Sequence, residues 1–145
     1  MLKILALLAL LLAPEAAQAQ QRQDQCSTLT NSSAVVNISS ATTTSIVALV
    51  TGKRITVCGF AISNPPSGTS ASTFVFEYGT GAACSTPTAL TGAFGAGFTT
   101  AGAPIFYSYG DGTSTIFSTA ISNGLCLLTA GTTVNIQGVV TYVQQ

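Results

Sequence analysis

Histidine and tryptophan are both absent from this chain of 145 residues. Without histidine there is no Ser-His or Cys-His nucleophile activation, no imidazole metal ligand and no histidine acid–base catalysis. Without tryptophan the chain lacks its largest ring for stacking on a sugar. Charge is scarce too, at 6% of residues. Past residue 19, Arg22, Lys53 and Arg54 stand against Asp24, Glu77 and Asp111, so three minus three leaves no net charge. A nucleic-acid surface needs a basic stripe, and an anionic lipid surface attracts basic clusters. Neither partner is expected.

The acids offer little for catalysis. A glycosidase needs two carboxylates facing each other across a cleft. Glu77 reads as a strand residue, and Asp111 sits in "YGDG", where Asp-Gly favours a tight turn. Lys53 and Glu77 read as an exposed ion pair worth little energetically. The chain is therefore expected to be no enzyme, with no cofactor and no metal site.

The first segment has the design of a leader. "MLKILALLALLLAPEAAQA" carries Lys3, an apolar run from Ile4 to Ala13 and the small-x-small site Ala17-Gln18-Ala19. The run is shorter than the roughly 20 residues that span a bilayer. A signal peptide is expected over 1–19, a loose tail over 20–25 and a single domain over 26–145. The product is then exported, to a periplasmic, extracellular or surface-attached location, with no membrane insertion after cleavage. Cys26, Cys58, Cys84 and Cys126 all follow the leader. Four cysteines in an exported chain predict two disulfides, with three pairings open. Their long gaps lack the close pairs of a tetra-cysteine zinc site.

The periodicity is that of strands. "SIVALV", "RITVCGFAIS", "TFVFEY", "PIFYSY", "STIFSTAI", "GLCLLT" and "TVNIQGVVTYVQ" concentrate β-branched and aromatic residues. Between them lie "NPPSG", "YGTG", "GAFGAG", "YGDG" and "SNG", all rich in turn formers. No later segment shows a capped helical period. Short strands at regular spacing predict an all-β, antiparallel, jelly-roll-like sandwich of seven or eight strands, stapled by disulfides.

"RITVCGFAIS" and "TFVFEY" read as a hairpin around "NPPSGTSAS". Pairing Ser63 with Thr73 sets Phe60 beside Phe76 and Ile62 beside Phe74. That register favours Cys58–Cys84, leaving Cys26 with Cys126. Tyr107 and Tyr109 share a strand face and are the candidate ligand-binding residues for a glycan or peptide. The last strand carries no charged side chain. As an unguarded outer strand it would pair with a second copy.

The runs "GKRITVCGFAIS", "FEYGTGAAC", "TALTGAF" and "NGLCLLTAGTTVNIQGVVTYVQ" resemble small β-sandwich proteins common in bacteriophage and environmental viral sequences. The shared features are a "GK-x-I-x-V" strand, an "F-x-YGTG-x-x-C" strand end, an "ALTG" segment and a "G-x-V-x-Y" final strand. The resemblance spans about residues 26–145. It implies a virion-surface or decoration-type structural role, and it carries over no catalytic residue. Joined to a leader, it describes a secreted or surface-bound structural or adhesion protein with a cell-surface or glycan partner.

Overall fold

A computed structural model describes residues 24–64, 72–95 and 105–145. The leader and most of the expected tail lie outside the described residues, as do the Pro-Pro loop and the stretch 96–104. The chain is an all-β sandwich. A short helix α1 (Gln25–Thr28) precedes β1 (Ser32–Ile38), β2 (Thr43–Val47), β3 (Ile55–Asn64), β4 (Ser72–Thr80) and β5 (Ser85–Ala89). Then follow β6 (Ile105–Tyr109), β7 (Phe117–Ser118), β8 (Gly124–Gly131) and β9 (Ile136–Gln144). One sheet runs β1-β9-β3-β6, with β7 also on β3, and the other runs β2-β8-β4-β5. All pairings are antiparallel. Among the described residues there are nine strands where seven or eight are expected; β1 and β5 are the two that none of the strand-like runs covers.

The interior is aromatic and aliphatic. Phe60, Ile62, Val140 and Ile136 from one sheet meet Phe74, Phe76, Leu125 and Leu127 from the other. Alternation along each strand sends these side chains inward and their neighbours outward. Strand β3 departs from strict alternation. Its pairing with β9 slips between Val57 and Gly59, so Cys58 is an extra residue. This β-bulge changes the phase of the strand. Ile55 and Val57 are core residues before it, and Phe60 and Ile62 are core residues after it. The simple two-set alternation of "RITVCGFAIS" does not hold across Cys58.

The expected β3–β4 hairpin does not form. The two strands belong to opposite sheets. Phe60 and Phe76 do meet, at 4.9 Å between ring centroids, but across the core instead of along one sheet. The crossover is held at its ends by a reciprocal pair of hydrogen bonds. Asn64 Nδ2 donates to the Ser72 carbonyl at 3.1 Å, and Ser72 Oγ donates to Asn64 Oδ1 at 2.8 Å.

The cysteine pairing differs with it. Cys26 bonds Cys58, and Cys84 bonds Cys126, with Cα–Cα distances of 5.5 and 6.4 Å. The expected Cys58–Cys84 link needs β3 and β4 side by side, and they are not. Leu125 and Leu127 point into the core, so Cys126 points out of the four-stranded sheet. Cys26, Cys58 and Val143 form a small separate cluster that includes the bulge residue. Each bridge therefore stays with its own sheet.

The tail boundary also moves. Asp24 caps α1, its carboxylate accepting from the Cys26 N–H at 3.1 Å. Gln25 Oε1 accepts from the Thr56 hydroxyl at 2.8 Å. Both residues belong to the fold. The last strand is not an outer strand, because β9 lies between β1 and β3. Its lack of charge follows from burial between neighbours, and the strand-addition route expected for it is closed.

Candidate functional surface

The outer face of the five-stranded sheet is the most distinctive surface of the molecule. Register places Val35 beside Val139, Val139 beside Ala61, and Ala61 beside Ser108. All four are exposed, Val35 at 80%. The next row is Asn37, Gln137, Ser63 and Phe106, with Phe106 exposed at 74%. These two rows contain no charged side chain. Ala61 and Ser63 on β3 leave a shallow floor, with Val35 and Phe106 standing at opposite edges.

A cleft of about 460 Å³ opens at one end of this face. Gly59, Ala61, Thr141 and Val139 form its floor; Ser27, Asn31 and the Gly110–Thr113 turn form its rim. The turn is fixed from three sides. The Gly112 N–H donates to the Cys58 carbonyl at 3.2 Å, which anchors the turn on the bulge. Asn31 Nδ2 donates to the Gly112 carbonyl at 2.7 Å. Asp111 Oδ1 accepts from the Thr113 N–H at 2.9 Å and from the Thr113 hydroxyl at 2.6 Å. Gly110 has φ +75°, and a Cβ there would run into the Cys58 carbonyl oxygen, so glycine is required.

The acidic residues are dispersed. Hydrogen bonds from the Thr113 hydroxyl, then from its N–H, hold the Asp111 carboxyl below the usual carboxylate range. That carboxylate organises its own turn. Glu77 is 3% exposed on the other sheet, where Thr43 Oγ1 donates to its Oε1 at 3.0 Å. Phe76 and Leu127 are core residues, so Glu77 and its register neighbour Cys126 face outward. Glu77 and Asp111 thus serve different sheets and do not converge on one cleft. Lys53 belongs to the turn before β3, in the opposite sheet from Glu77. The expected exposed Lys53–Glu77 pair is replaced by a buried carboxylate served by a threonine.

The two candidate tyrosines separate. Tyr107 packs edge-on against Phe74 and Phe94, at 5.5 Å from each. Tyr109 lies 5.4 Å from Phe60 and remains 53% exposed. They share a strand face that is turned toward the core, so Tyr109 alone presents much surface.

A contact that the sequence does not advertise closes the same end of the sheet. Asp24 Oδ2 accepts from the Thr115 N–H at 2.7 Å, and Oδ1 accepts from the Thr115 hydroxyl at 2.7 Å. The Thr115 N–H, then the Thr115 hydroxyl and the Cys26 N–H, hold the Asp24 carboxyl below the usual range. The partners are 91 residues apart in sequence. The only advance signal is an acidic N-cap residue before "QCST".

What the fold defines is a disulfide-bonded, antiparallel β-sandwich. The two disulfides suit an oxidising, exported environment. No helix among the described residues is long and apolar enough to cross a membrane. No protein-family model matches the chain, and comparison with curated proteins finds no match.

Proposed function

We propose that this chain is an exported, non-enzymatic structural or adhesion protein, of the virion-decoration type its sequence resembles, working through its surface. Residues 1–19 act as a cleaved leader in this reading. The observation that carries it is the outer face of the five-stranded sheet. Its central rows combine exposed Val35, Val139 and Phe106 with serine, asparagine and glutamine and no charge. Such a face suits lasting contact with another surface better than solitary diffusion.

Fractionation of cells making the full chain tests the reading. The expected product begins at Gln20, contains no free thiol and is retained on the envelope or on particles. Its retention falls with Phe106→Ser. A reduced, full-length chain in the cytosol overturns the reading, and so does exported protein that no surface retains.

The alternative is a glycan- or peptide-binding module. Tyr109, exposed at the end of β6, favours it. A glycan array would then give a selective signal that Tyr109→Ala abolishes and Phe106→Ser leaves in place.

A further inference from the structure

We infer that β1 is the strand by which two copies of this chain pair, antiparallel and across a two-fold axis at Val35. The inference concerns association alone and does not depend on where the protein is retained.

A sandwich must manage four outer edges, and unguarded ones recruit strands. Three of them are obstructed here. β5 has Pro87 in its middle, and Thr86 adopts φ +52°. β2 is only five residues long, and its register slips between Ser45 and Val47. The far edge of the five-stranded sheet is broken into β6 and β7. Between them, the Gly112 and Ile116 N–H groups already bond the Cys58 and Val57 carbonyls.

β1 is different. It pairs with β9 over seven consecutive residues, Ser32 to Ile38, without a slip. Its other side carries no strand among the described residues. It contains no proline, glycine or charge. None of the usual guards is present among the described residues, and Val35 on it is 80% exposed.

The sequence of β1 also matches itself. Antiparallel pairing about Val35 sets Val35 against its copy, Ala34 against Val36, and Ser33 against Asn37. Each pair joins residues of the same face, because the side-chain period is two. The outward face then carries a row Val139, Val35, Val35 of the second copy and Val139 of the second copy. Serine and asparagine flank it with hydrogen-bonding groups. The inward faces join alanine to valine. A two-fold axis brings like residues together, so any charge at the axis would meet itself. β1 has none, and neither does β2, the opposing edge on the same side of the sandwich. An isologous pairing of this kind closes at two copies instead of growing into a fibre.

Light scattering on the oxidised mature chain, across a concentration series, tests this. The expected result is a monomer that converts to a dimer and stops there. Val35→Lys puts an ammonium against its copy, and should weaken dimerisation at least tenfold while leaving the melting temperature of the monomer unchanged. Val139→Lys lies on the same face but on an interior strand, and should leave the dimer largely intact. Both native disulfides leave no free thiol. A short bis-maleimide linker should therefore join Val35→Cys chains to each other and leave Val139→Cys chains unlinked. This second readout holds even if Val35→Lys folds poorly. A monomer at all concentrations, oligomers that grow past two, equal loss with both lysine variants, or failure of Val35→Cys to cross-link would each overturn the inference.

Discussion

Phe60 and Phe76 lie 4.9 Å apart between ring centroids, tilted at 53°, one from each sheet. Phe60 also approaches Phe94 and Tyr109, while Phe76 reaches Phe74 and Phe117. The pair is thus the junction of an aromatic cluster that clamps the sheets together. Removing a fully buried ring leaves a cavity that a β-sandwich closes only in part. Phe76→Ala is expected to cost about 3–5 kcal/mol in chemical denaturation. Phe106→Ala, at an exposed ring, is expected to stay within about 0.5 kcal/mol. Equal losses at the two positions would contradict this packing.

The disulfides staple the molecule in two separate places. Cys26–Cys58 closes 32 residues of sequence separation and Cys84–Cys126 closes 42. The chain-entropy relation gives each about 4 kcal/mol. Peptide mapping of the unreduced protein is expected to recover these two links, with neither Cys58–Cys84 nor Cys26–Cys126. The double substitution Cys26→Ser with Cys58→Ser should lower the melting temperature and loosen the segment around α1, leaving it held by the Asp24–Thr115 and Gln25–Thr56 contacts. The strand content should persist, because the Phe60–Phe76 cluster does not include that bridge. A collapse of the whole sheet signal would show that the bridge supports more than one end.

Most strands were legible in the sequence because alternation and turn residues are local, but β1 and β5, "SSAVVNI" and "STPTA", were not, being short and rich in serine or threonine. "TFVFEY" announces its buried Phe74 and Phe76 without reference to anything distant. Sheet membership is not local. The same apolar residues suit a hairpin or a crossover between sheets, since Phe60 meets Phe76 in both. Only the second is compatible with β9 on one side of β3 and with β6 and β7 on the other. The bulge at Cys58 was hidden for a related reason. One extra residue shifts the phase without leaving a signature in composition, and the cysteine pairing follows that shift. At the candidate surface, Tyr107 and Tyr109 were visible as a strand pair. Their inward direction depends on β6 joining β3, a pairing reached through a long connection. The latch from Asp24 to Thr115 spans most of the domain and could not be read from either end.

Glu77 makes a sharper test of the interior. Among the described residues, no buried polar side-chain atom lacks a hydrogen-bond partner. Thr43 Oγ1 is the side-chain donor to Glu77 Oε1, reaching from β2 past β8. Thr43→Val keeps the shape and removes the hydroxyl. A loss of about 1–3 kcal/mol is expected, the cost of leaving a buried acceptor unserved. Thr43→Ser should restore most of it. In a double-mutant cycle, Glu77→Gln should change the penalty of Thr43→Val, because the two side chains share one hydrogen bond. Full additivity would mean that the two side chains do not interact in solution.

Asp24 gives the fold its clearest pH signature. Its carboxyl is held below the ordinary aspartate value of 3.8, chiefly by the Thr115 N–H. A folded-state pKa below the unfolded one means that the unfolded chain binds the proton more readily. The stabilisation is therefore complete above the ordinary value. It is lost as pH falls from there through the lowered folded-state value. Above the ordinary value the latch from Asp24 to Thr115 should hold, and below the lowered folded-state value it should weaken. The Thr115 amide proton, followed by NMR, reports the event directly because it donates to Asp24 Oδ2. Its shift should titrate with a midpoint below 3.8 in the native chain, and the titration should vanish in Asp24→Asn. Asp111 has its own lowered pKa, from the hydroxyl and N–H of Thr113, and Asp111→Asn should leave the Thr115 titration in place. A Thr115 midpoint at or above the ordinary aspartate value would mean that the long-range latch is open in solution. The segment around α1 would then be held by the Cys26–Cys58 bridge and by the Gln25–Thr56 contact.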